Sequence, residues 1–228
     1  MNNYILVTPA RNEEKNIEHL IESINSQSLK PKLWIIVNDN STDSTQEIVQ
    51  KCSKIHTWIK ILNNNEKSEY MGINYSKVCI LGFDYALNLA KQKGLNYEYI
   101  GLLDADIELP KEYFKELIKR MNNNKQLGIT SGSIYSKTKN GLITDTLRTD
   151  LPRGAARVWR KKCFIETGGY KLTRAPDSVS NIKAKLAGWK IERFLDLKAI
   201  QTRETSSGIG LWKGYLEKGE DSYILNLN

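Results

Sequence analysis

Residues 97–107 read YEYIGLLDADI, an apolar run that ends in two carboxylates one residue apart, Asp104 and Asp106. The run is typical of a buried strand, and a helix-like segment with Pro110 in its first turn follows it. Open α/β sheets bind ligands beyond the carboxyl ends of their strands, where we expect the two acids to lie. Two such acids repel each other unless a cation lies between them, and magnesium is commonly held by one or two carboxylates together with substrate phosphates. The stretch therefore predicts a divalent-cation and diphosphate site, with a surface turn as the alternative.

Around this stretch, the first half of the chain alternates strand-like and helix-like segments at the spacing of βαβ units. The predicted strands are continuous apolar runs, which suit a sheet covered on both faces. The sequence thus predicts an α/β fold with a mainly parallel central sheet, a Rossmann-like first half and helices on both faces. The predicted strands are 4–8, 33–37, 58–62, 97–103 and 128–133, and the predicted helices are 13–26, 42–54, 76–93 and 110–122.

The pattern changes after Ser136, because residues 136–160 are polar, basic and glycine-containing. Short helices are predicted over 162–166 and 178–187, with strand-like sequence from Trp189. Neither a Pro/Gly/Ser-rich linker nor an internal repeat divides the chain. We therefore expect a single domain over 1–228, with a nucleotide-binding half (1–135) and an acceptor-binding half (136–228).

The charge and cysteine content of the chain indicate what kind of partner it binds. The chain has 228 residues, a net charge of +8 and three widely spaced cysteines, so we expect reduced thiols and anionic partners. No signature of a nucleic-acid-binding module is present, and nucleic acid is not expected as a partner. The sequence shows neither a signal peptide nor a membrane-length apolar run, which favours a cytoplasmic protein. Residues 211–219 mix aromatics with lysines, and such a tail either rests on an acidic membrane face or packs on the domain.

Polar clusters follow three of the predicted strands, at 8–14, at 38–43 and at the Asp104/Asp106 pair. Parallel strands share a direction, so the three clusters are expected at one edge of the sheet. Ser41 or Thr42 is predicted to cap the following helix, whereas Asp39 lies before the cap, at the strand tip. The chain lacks both glycine-rich nucleotide fingerprints, so metal and side chains would have to neutralise any bound phosphates.

These three motifs together resemble those of the family 2 glycosyltransferases. PARNEE at residues 9–14, VNDNSTD at 37–43 and LDAD at 103–106 match the family patterns Pro-x-Tyr-Asn-Glu, Val-Asp-Asp-Gly-Ser-Thr-Asp and Asp-x-Asp in order and spacing. The resemblance covers roughly residues 4–201. It implies the GT-A fold, an inverting reaction, a nucleotide-diphosphate sugar donor linked to UDP or GDP, and a divalent cation, Mn²⁺ or Mg²⁺.

The resemblance also implies roles for individual residues. Asp39 matches the aspartate that binds the nucleotide base, and Asp104 and Asp106 match the pair that binds the donor and the metal. Arg11 replaces the usual tyrosine beside the base. The remaining donor-binding positions are Pro9, Glu13, Lys77 and Ala105. For Lys77, a solvated position on a helix is an equal alternative.

A fourth motif, Thr167-Gly168-Gly169-Tyr170, resembles the family's Gly-Gly-Phe/Tyr turn. The turn usually precedes Glu-Asp at the start of a helix, and here Pro176-Asp177 occupies that place. Asp177 is thereby implied as the catalytic base, with helix capping as the alternative. The basic stretch 153–160 before the turn is interpreted either as facing the acceptor or donor phosphates or as a solvated loop.

The sequence thus favours one sugar transfer per encounter, because the Gln-x-x-Arg-Trp motif of processive synthases is absent. The expected acceptor is a glycan or a lipid-linked molecule, with possible peripheral contact at the cytoplasmic membrane face. Two alternatives stay open. One is a nucleotidyltransferase acting on sugar phosphates, although the loop at 8–14 contains no glycine. The other is a catalytically inactive GT-A binding module, for which Arg11 and Pro176 leave room.

Overall fold

Strands and helices alternate along the described part of the computed structural model, which comprises residues 2–66, 71–138, 141–144 and 148–202. The strands are β1 (Tyr4–Ala10), β2 (Leu33–Asp39), β3 (Ile59–Asn64), β4 (Tyr99–Leu103), β5 (Ile107–Glu108), β6 (Leu127–Thr138), β7 (Gly141–Thr144), β8 (Ala156–Arg160) and β9 (Lys190–Gln201). The helices are α1 (Ile17–Asn25), α2 (Thr45–Ile55), α3 (Met71–Gln92), α4 (Tyr113–Asn123), α5 (Lys161–Glu166) and α6 (Pro176–Leu186).

These strands form one sheet in the order β3-β2-β1-β4-β8-β6-β9-β5, and β7 pairs with the outer part of β6. Strands β1 to β4 run parallel to one another, as do β6 and β9, whereas β8 is inserted antiparallel between β4 and β6. Six of the described strands therefore run in one direction, which confirms the predicted mainly parallel α/β sheet.

Helices cover both faces of this sheet. Alternate residues of each strand point to opposite faces, so Leu6 and Ile36 pack against α1 and α4, whereas Val7 and Val37 pack against α3. Helix α3 approaches very closely, because a methyl group built on Gly82 would lie 2.6 Å from Val7 and 2.7 Å from Val37. This two-sided burial explains why the strands are continuous apolar runs.

The largest difference from the sequence prediction is in the basic stretch 153–160. We expected it either to face the acceptor or donor phosphates or to be a solvated loop, but residues 156–160 form β8 in the middle of the sheet, and Arg157 is 0% exposed. The strand was missed because Arg157 interrupts the apolar residues Ala156, Val158 and Trp159, so no continuous apolar run marks it. The interpretation of this stretch as a solvated loop was wrong.

Helix boundaries moved by a few residues from the predicted ones. Helix α1 begins at Ile17 rather than Glu13, α4 begins at Tyr113 rather than Pro110, and α3 begins at Met71 rather than Ser76. The three cysteines are reduced thiols, as predicted. Within the described ranges, no helix is both long and apolar enough to cross a membrane. The tail at 211–219 lies outside the described residues.

Candidate active site

The polar clusters after β1, β2 and β4 meet at one edge of the sheet, as the sequence predicted. The three strands are direct neighbours in the order β2-β1-β4, and all end at the same edge. Pro9, half-buried in β1, pairs with Val37 of β2 just before this edge. The register therefore brings the segment after each strand to a common ligand-binding position.

Asp39 ends β2 as a buried carboxylate with specific partners. Its Oδ1 accepts a hydrogen bond of 2.7 Å from Asn64 at the end of β3, and its Oδ2 accepts one of 2.8 Å from Asn74 of α3. The Arg11 guanidinium lies 3.7 Å from Oδ2, with its side chain half exposed. Asp39 is thus held in place from three directions and lies beside a cation at the surface.

The loops after β1 and β2 are bound to each other. Asn12, at a φ of 54°, donates its backbone N–H to Ser41 Oγ, and its side-chain oxygen accepts from the Thr42 N–H. The buried Glu13 donates its backbone N–H to Thr45 Oγ1 over 2.7 Å. Helix α2 begins at Thr45, so the prediction that Ser41 or Thr42 caps it was wrong. These hydroxyls connect the two loops instead.

Asp104 follows β4 in an unusually acidic environment. Its Oδ1 accepts a hydrogen bond of 2.7 Å from the Tyr75 hydroxyl of α3. Burial raises the pKa of Asp104 to about 7, the charges of Asp106, Asp177 and Glu13 add to the rise, and the Tyr75 hydrogen bond opposes it. A positive charge bound beside Asp104 would relieve this repulsion and favour the ionised form.

The neighbouring Ala105 and Asp106 are buried, and strand β9 holds the segment in place. Gln201 donates a hydrogen bond of 3.0 Å to Asp106 Oδ2, and the backbone N–H of Thr202 donates to the Asp106 carbonyl over 2.9 Å. Within the described part of the chain, no three Asp, Glu, His or Cys side chains are grouped closely enough to hold a metal ion alone. An Asp pair can still hold magnesium or manganese when a diphosphate supplies the remaining oxygens.

Asp177 lies in the first turn of α6, next to Pro176 at the helix start. The N-cap residue is Ala175, and no side-chain capping hydrogen bond forms, so the alternative interpretation of Asp177 as a cap is not supported. The Tyr170 hydroxyl donates to its Oδ1 over 3.1 Å, and the Arg157 guanidinium lies 3.6 Å from the same oxygen. Gly154 packs against the Asp177 carboxylate, and the carbonyl of the next residue, Ala155, accepts the backbone N–H of Asp104 over 2.8 Å, so Asp177 lies close to the acids at the sheet edge.

Several residues of this site were missed from the sequence. These residues bind the acids of the site from elements that are distant in sequence, so no local motif marks them. They are Asn64 and Asn74 at Asp39, Tyr75 at Asp104 and Gln201 at Asp106. Asn74 and Tyr75 carry a weak signal, since they are polar residues in the first turns of a long helix. Lys77 lies one turn beyond Asn74 with an exposed side chain, and its donor-binding role stays a prediction.

Solved structures of glycosyltransferases share this architecture. A mannosyltransferase, PcManGT from Pyrobaculum calidifontis in complex with GDP-Man and Mn²⁺, matches with a TM-score of 0.65 and 16% identity, over 90% of this chain and 58% of that one. S. aureus TarS 1–349 in complex with UDP-GlcNAc matches with a TM-score of 0.66 and 18% identity, over 90% and 60%. Likeness at this identity shows the fold, and the predicted GT-A fold is confirmed.

The family follows from the sequence itself. The family model described as Glycosyl transferase family 2 matches residues 5–178, a span that includes Asp39, Asp104, Asp106 and Asp177. The chain belongs to glycosyl transferase family 2.

Curated relatives match over part of their length. The 4,4'-diaponeurosporenoate glycosyltransferase of Staphylococcus haemolyticus is 30% identical over 114 residues, or 50% of this chain and 26% of that protein. An uncharacterised glycosyltransferase of Methanocaldococcus jannaschii is 33% identical over 132 residues, or 57% and 40%. The matched region thus spans less than half of either relative.

Proposed function

We propose that the chain is an inverting glycosyltransferase that moves a sugar from a nucleotide-diphosphate donor to a hydroxyl group of an acceptor. The observation that carries the proposal is the meeting of Asp39 and the Asp104/Asp106 pair at one sheet edge, with Asp177 of α6 next to it across Gly154 and Ala155. A base-binding acid, a pair suited to a cation and a candidate general base are the groups that such a transfer needs in one place.

Asp39 is proposed to bind the nucleotide base. Uracil and guanine both present ring N–H donors that a carboxylate can accept, and Asn64 and Asn74 hold the Asp39 carboxylate in place. The half-exposed Arg11 guanidinium provides a flat surface on which a base can stack. The chemistry of this position therefore fits UDP- and GDP-linked donors. Pro9 and Glu13 are proposed to belong to the same donor-binding site.

Asp104 and Asp106 are proposed to hold a divalent cation, Mn²⁺ or Mg²⁺, together with the donor diphosphate. The residues fit this role because Asp104 carries a raised pKa among carboxylates and its ionised form needs a nearby positive charge. When bound, the cation would stabilise the negative charge that grows on the leaving diphosphate. Ala105, between the two acids, is proposed to belong to the same donor-binding segment. The exposed Lys77 is proposed to bind the diphosphate.

Asp177 is proposed to be the general base. An acceptor hydroxyl is a weak nucleophile, and a positioned carboxylate that takes its proton strengthens it during attack. The acceptor oxygen bonds to the anomeric carbon while the bond from that carbon to the diphosphate oxygen breaks, and the proton passes to Asp177. A single displacement of this kind inverts the anomeric configuration and releases a nucleoside diphosphate.

The acceptor is proposed to be a glycan or a lipid-linked molecule bound by the second half of a single domain. One relative is named for transfer to 4,4'-diaponeurosporenoate, and two solved neighbours hold GDP-Man or UDP-GlcNAc, so donor and acceptor vary among similar proteins. The net charge of +8 suits anionic donors and also a peripheral contact with an acidic membrane face.

The first experiment is a thermal-shift screen of UDP, GDP, UDP-GlcNAc and GDP-mannose with and without Mn²⁺. A ligand that binds only the folded state raises the melting temperature, so we expect Mn²⁺-dependent stabilisation by one nucleotide family. Release of nucleoside diphosphate from the stabilising donor should follow. Release of pyrophosphate would instead indicate a nucleotidyltransferase, and no stabilisation by any of these ligands would contradict the proposal.

A further inference from the structure

Two features of the second half, the Gly168-Gly169-Tyr170 turn and the buried Arg157, meet at the Asp177 carboxylate. The Tyr170 hydroxyl donates to Asp177 Oδ1 over 3.1 Å, and an Arg157 nitrogen lies 3.6 Å from the same oxygen. Arg157 also donates to the Asp177 backbone carbonyl over 3.4 Å. Tyr170 and the Arg157 guanidinium thus both act on the same oxygen of the Asp177 carboxylate, Oδ1.

Tyr170 is aimed at Asp177 by its surroundings. Gly168 and Gly169 adopt φ values of 75° and 72°, in the left-handed region that favours glycine, and they turn the chain directly before the tyrosine. The Tyr170 ring packs against Phe83 at 5.4 Å and Trp159 at 6.0 Å between centroids. Burial raises the pKa of Tyr170 well above its usual range, so the hydroxyl keeps its proton and acts as a donor.

Arg157 is fixed from the sheet side. It is 0% exposed in β8, and it donates to the carbonyls of Pro152 over 2.8 Å and of Arg153 over 3.1 Å. Its guanidinium lies 5.2 Å from the centre of the Trp159 ring. A buried guanidinium held by carbonyls keeps its position, so the charge next to Asp177 does not depend on a mobile surface side chain.

The second oxygen of Asp177 faces Gly154. A methyl group built on Gly154 would overlap Asp177 Oδ2, so the absence of a side chain at Gly154 is what leaves room for the carboxylate. The charge of Asp177 also reaches Asp104, Tyr75 and Cys79, where it adds to the rise in pKa that burial causes. The carboxylate therefore packs against Gly154, and Oδ1 is the oxygen that Tyr170 and Arg157 hold.

We propose that Tyr170 and Arg157 are positioning residues that hold Asp177 by Oδ1 against Gly154, so that Oδ2 is left to receive the acceptor proton. This inference rests on the proposed role of Asp177 as the base. It gives the Gly-Gly-Tyr turn and Arg157 of the basic stretch a role in the reaction. A displacement of the base by about 1 Å can lower the rate about a hundredfold. Loss of either Tyr170 or Arg157 should therefore affect turnover rather than donor binding.

The test compares Tyr170→Phe and Gly154→Ala with Asp177→Asn in the full chain. Turnover is nucleoside-diphosphate release from UDP-GlcNAc or GDP-mannose with Mn²⁺ and water as the acceptor, and donor affinity is measured by calorimetry. We expect Tyr170→Phe to lower kcat about tenfold and Gly154→Ala about a hundredfold, with donor Kd within about twofold of the wild type. Tyr85→Phe, at an exposed tyrosine of α3, is the matched control and should change neither value.

A double variant separates positioning from loss of structure. If Gly154→Ala acts by displacing Asp177, then adding it to Asp177→Asn should lower kcat no further, because the two changes remove the same contribution. Wild-type kcat in Tyr170→Phe and Gly154→Ala, with turnover lost in Asp177→Asn, would overturn this inference and leave the proposed function intact. Wild-type turnover in Asp177→Asn would overturn the assignment of the base itself.

Discussion

The two sides of the site differ in how their carboxylates are compensated. On the donor side, burial raises the pKa of Asp104 to about 7, and the charges of neighbouring carboxylates add to the rise. On the side of α6, Asp177 lies beside a guanidinium that is itself fully buried. The fold thus brings a positive charge to one acid of the site and surrounds another with negative charge.

This difference indicates which groups are complete before a ligand arrives. Asp177 is anchored by groups of the chain, so its position should be the same with and without substrate. Asp104 instead gains its favourable partner only when a cation binds, and the donor side should therefore respond to metal, pH and nucleotide together.

Removing a donor-side carboxylate should have the largest effect. We expect Asp106→Asn to lower turnover about a thousandfold or more and to abolish Mn²⁺-dependent nucleotide binding, because the amide carries no charge to hold the cation. Calorimetry with UDP or GDP at varied Mn²⁺ checks this result. Asp84→Asn, at an exposed position of α3, is the control. Unchanged metal-dependent binding in Asp106→Asn would place the cation elsewhere.

Replacing the buried arginine should cost stability. Arg157→Met leaves three carbonyls and Asp177 without their partner, and we expect a loss of about 2–3 kcal/mol in the free energy of unfolding, moderated because Asp177 is 38% exposed. Arg120→Met removes a more exposed pair with Asp196 and should lose less than about 1 kcal/mol. Urea denaturation measures both. Equal losses would show that the position of Arg157 has no special energetic role.

Metal binding on the donor side should depend on pH. Below pH 7 Asp104 is largely protonated, and a cation must displace that proton, so the apparent affinity for Mn²⁺ should fall about tenfold for each pH unit below 7. Tyr75→Phe removes a hydrogen bond that lowers the pKa of Asp104, which should move this break to higher pH. Mn²⁺ titrations in the presence of nucleotide check the profile. A flat profile through pH 7 would contradict the assignment.

Lys77 should have the smallest effect. Its exposed ammonium lies one turn beyond Asn74, so Lys77→Ala should raise the KM for the donor about threefold, and added salt should reduce the difference because exposed charges are screened. Lys91→Ala, at the other end of α3, should change nothing. Equal kinetics for the two variants would indicate that Lys77 is a solvated lysine only.

The same contrast separates what the sequence could predict from what it could not. The donor side was predictable because Asp39 and the Asp104/Asp106 pair directly follow apolar strands, and parallel strands bring their ends together. The partners of these acids come from β3, α3 and β9, and no local pattern joins Tyr75 to Asp104 or Gln201 to Asp106. Strand β8 was missed because Arg157 is charged yet buried, which is rare. The backbone carbonyls that accept its hydrogen bonds can be seen only in the folded structure.

The most direct test of this account measures donor binding and turnover together in Asp177→Asn. Calorimetry with Mn²⁺ and the stabilising nucleotide sugar should give a Kd close to that of the wild type, while nucleoside-diphosphate release falls about a hundredfold or more. That result would establish a donor side that is independent of the base. Retained turnover, or loss of donor binding together with turnover, would contradict the division of the site into these two parts.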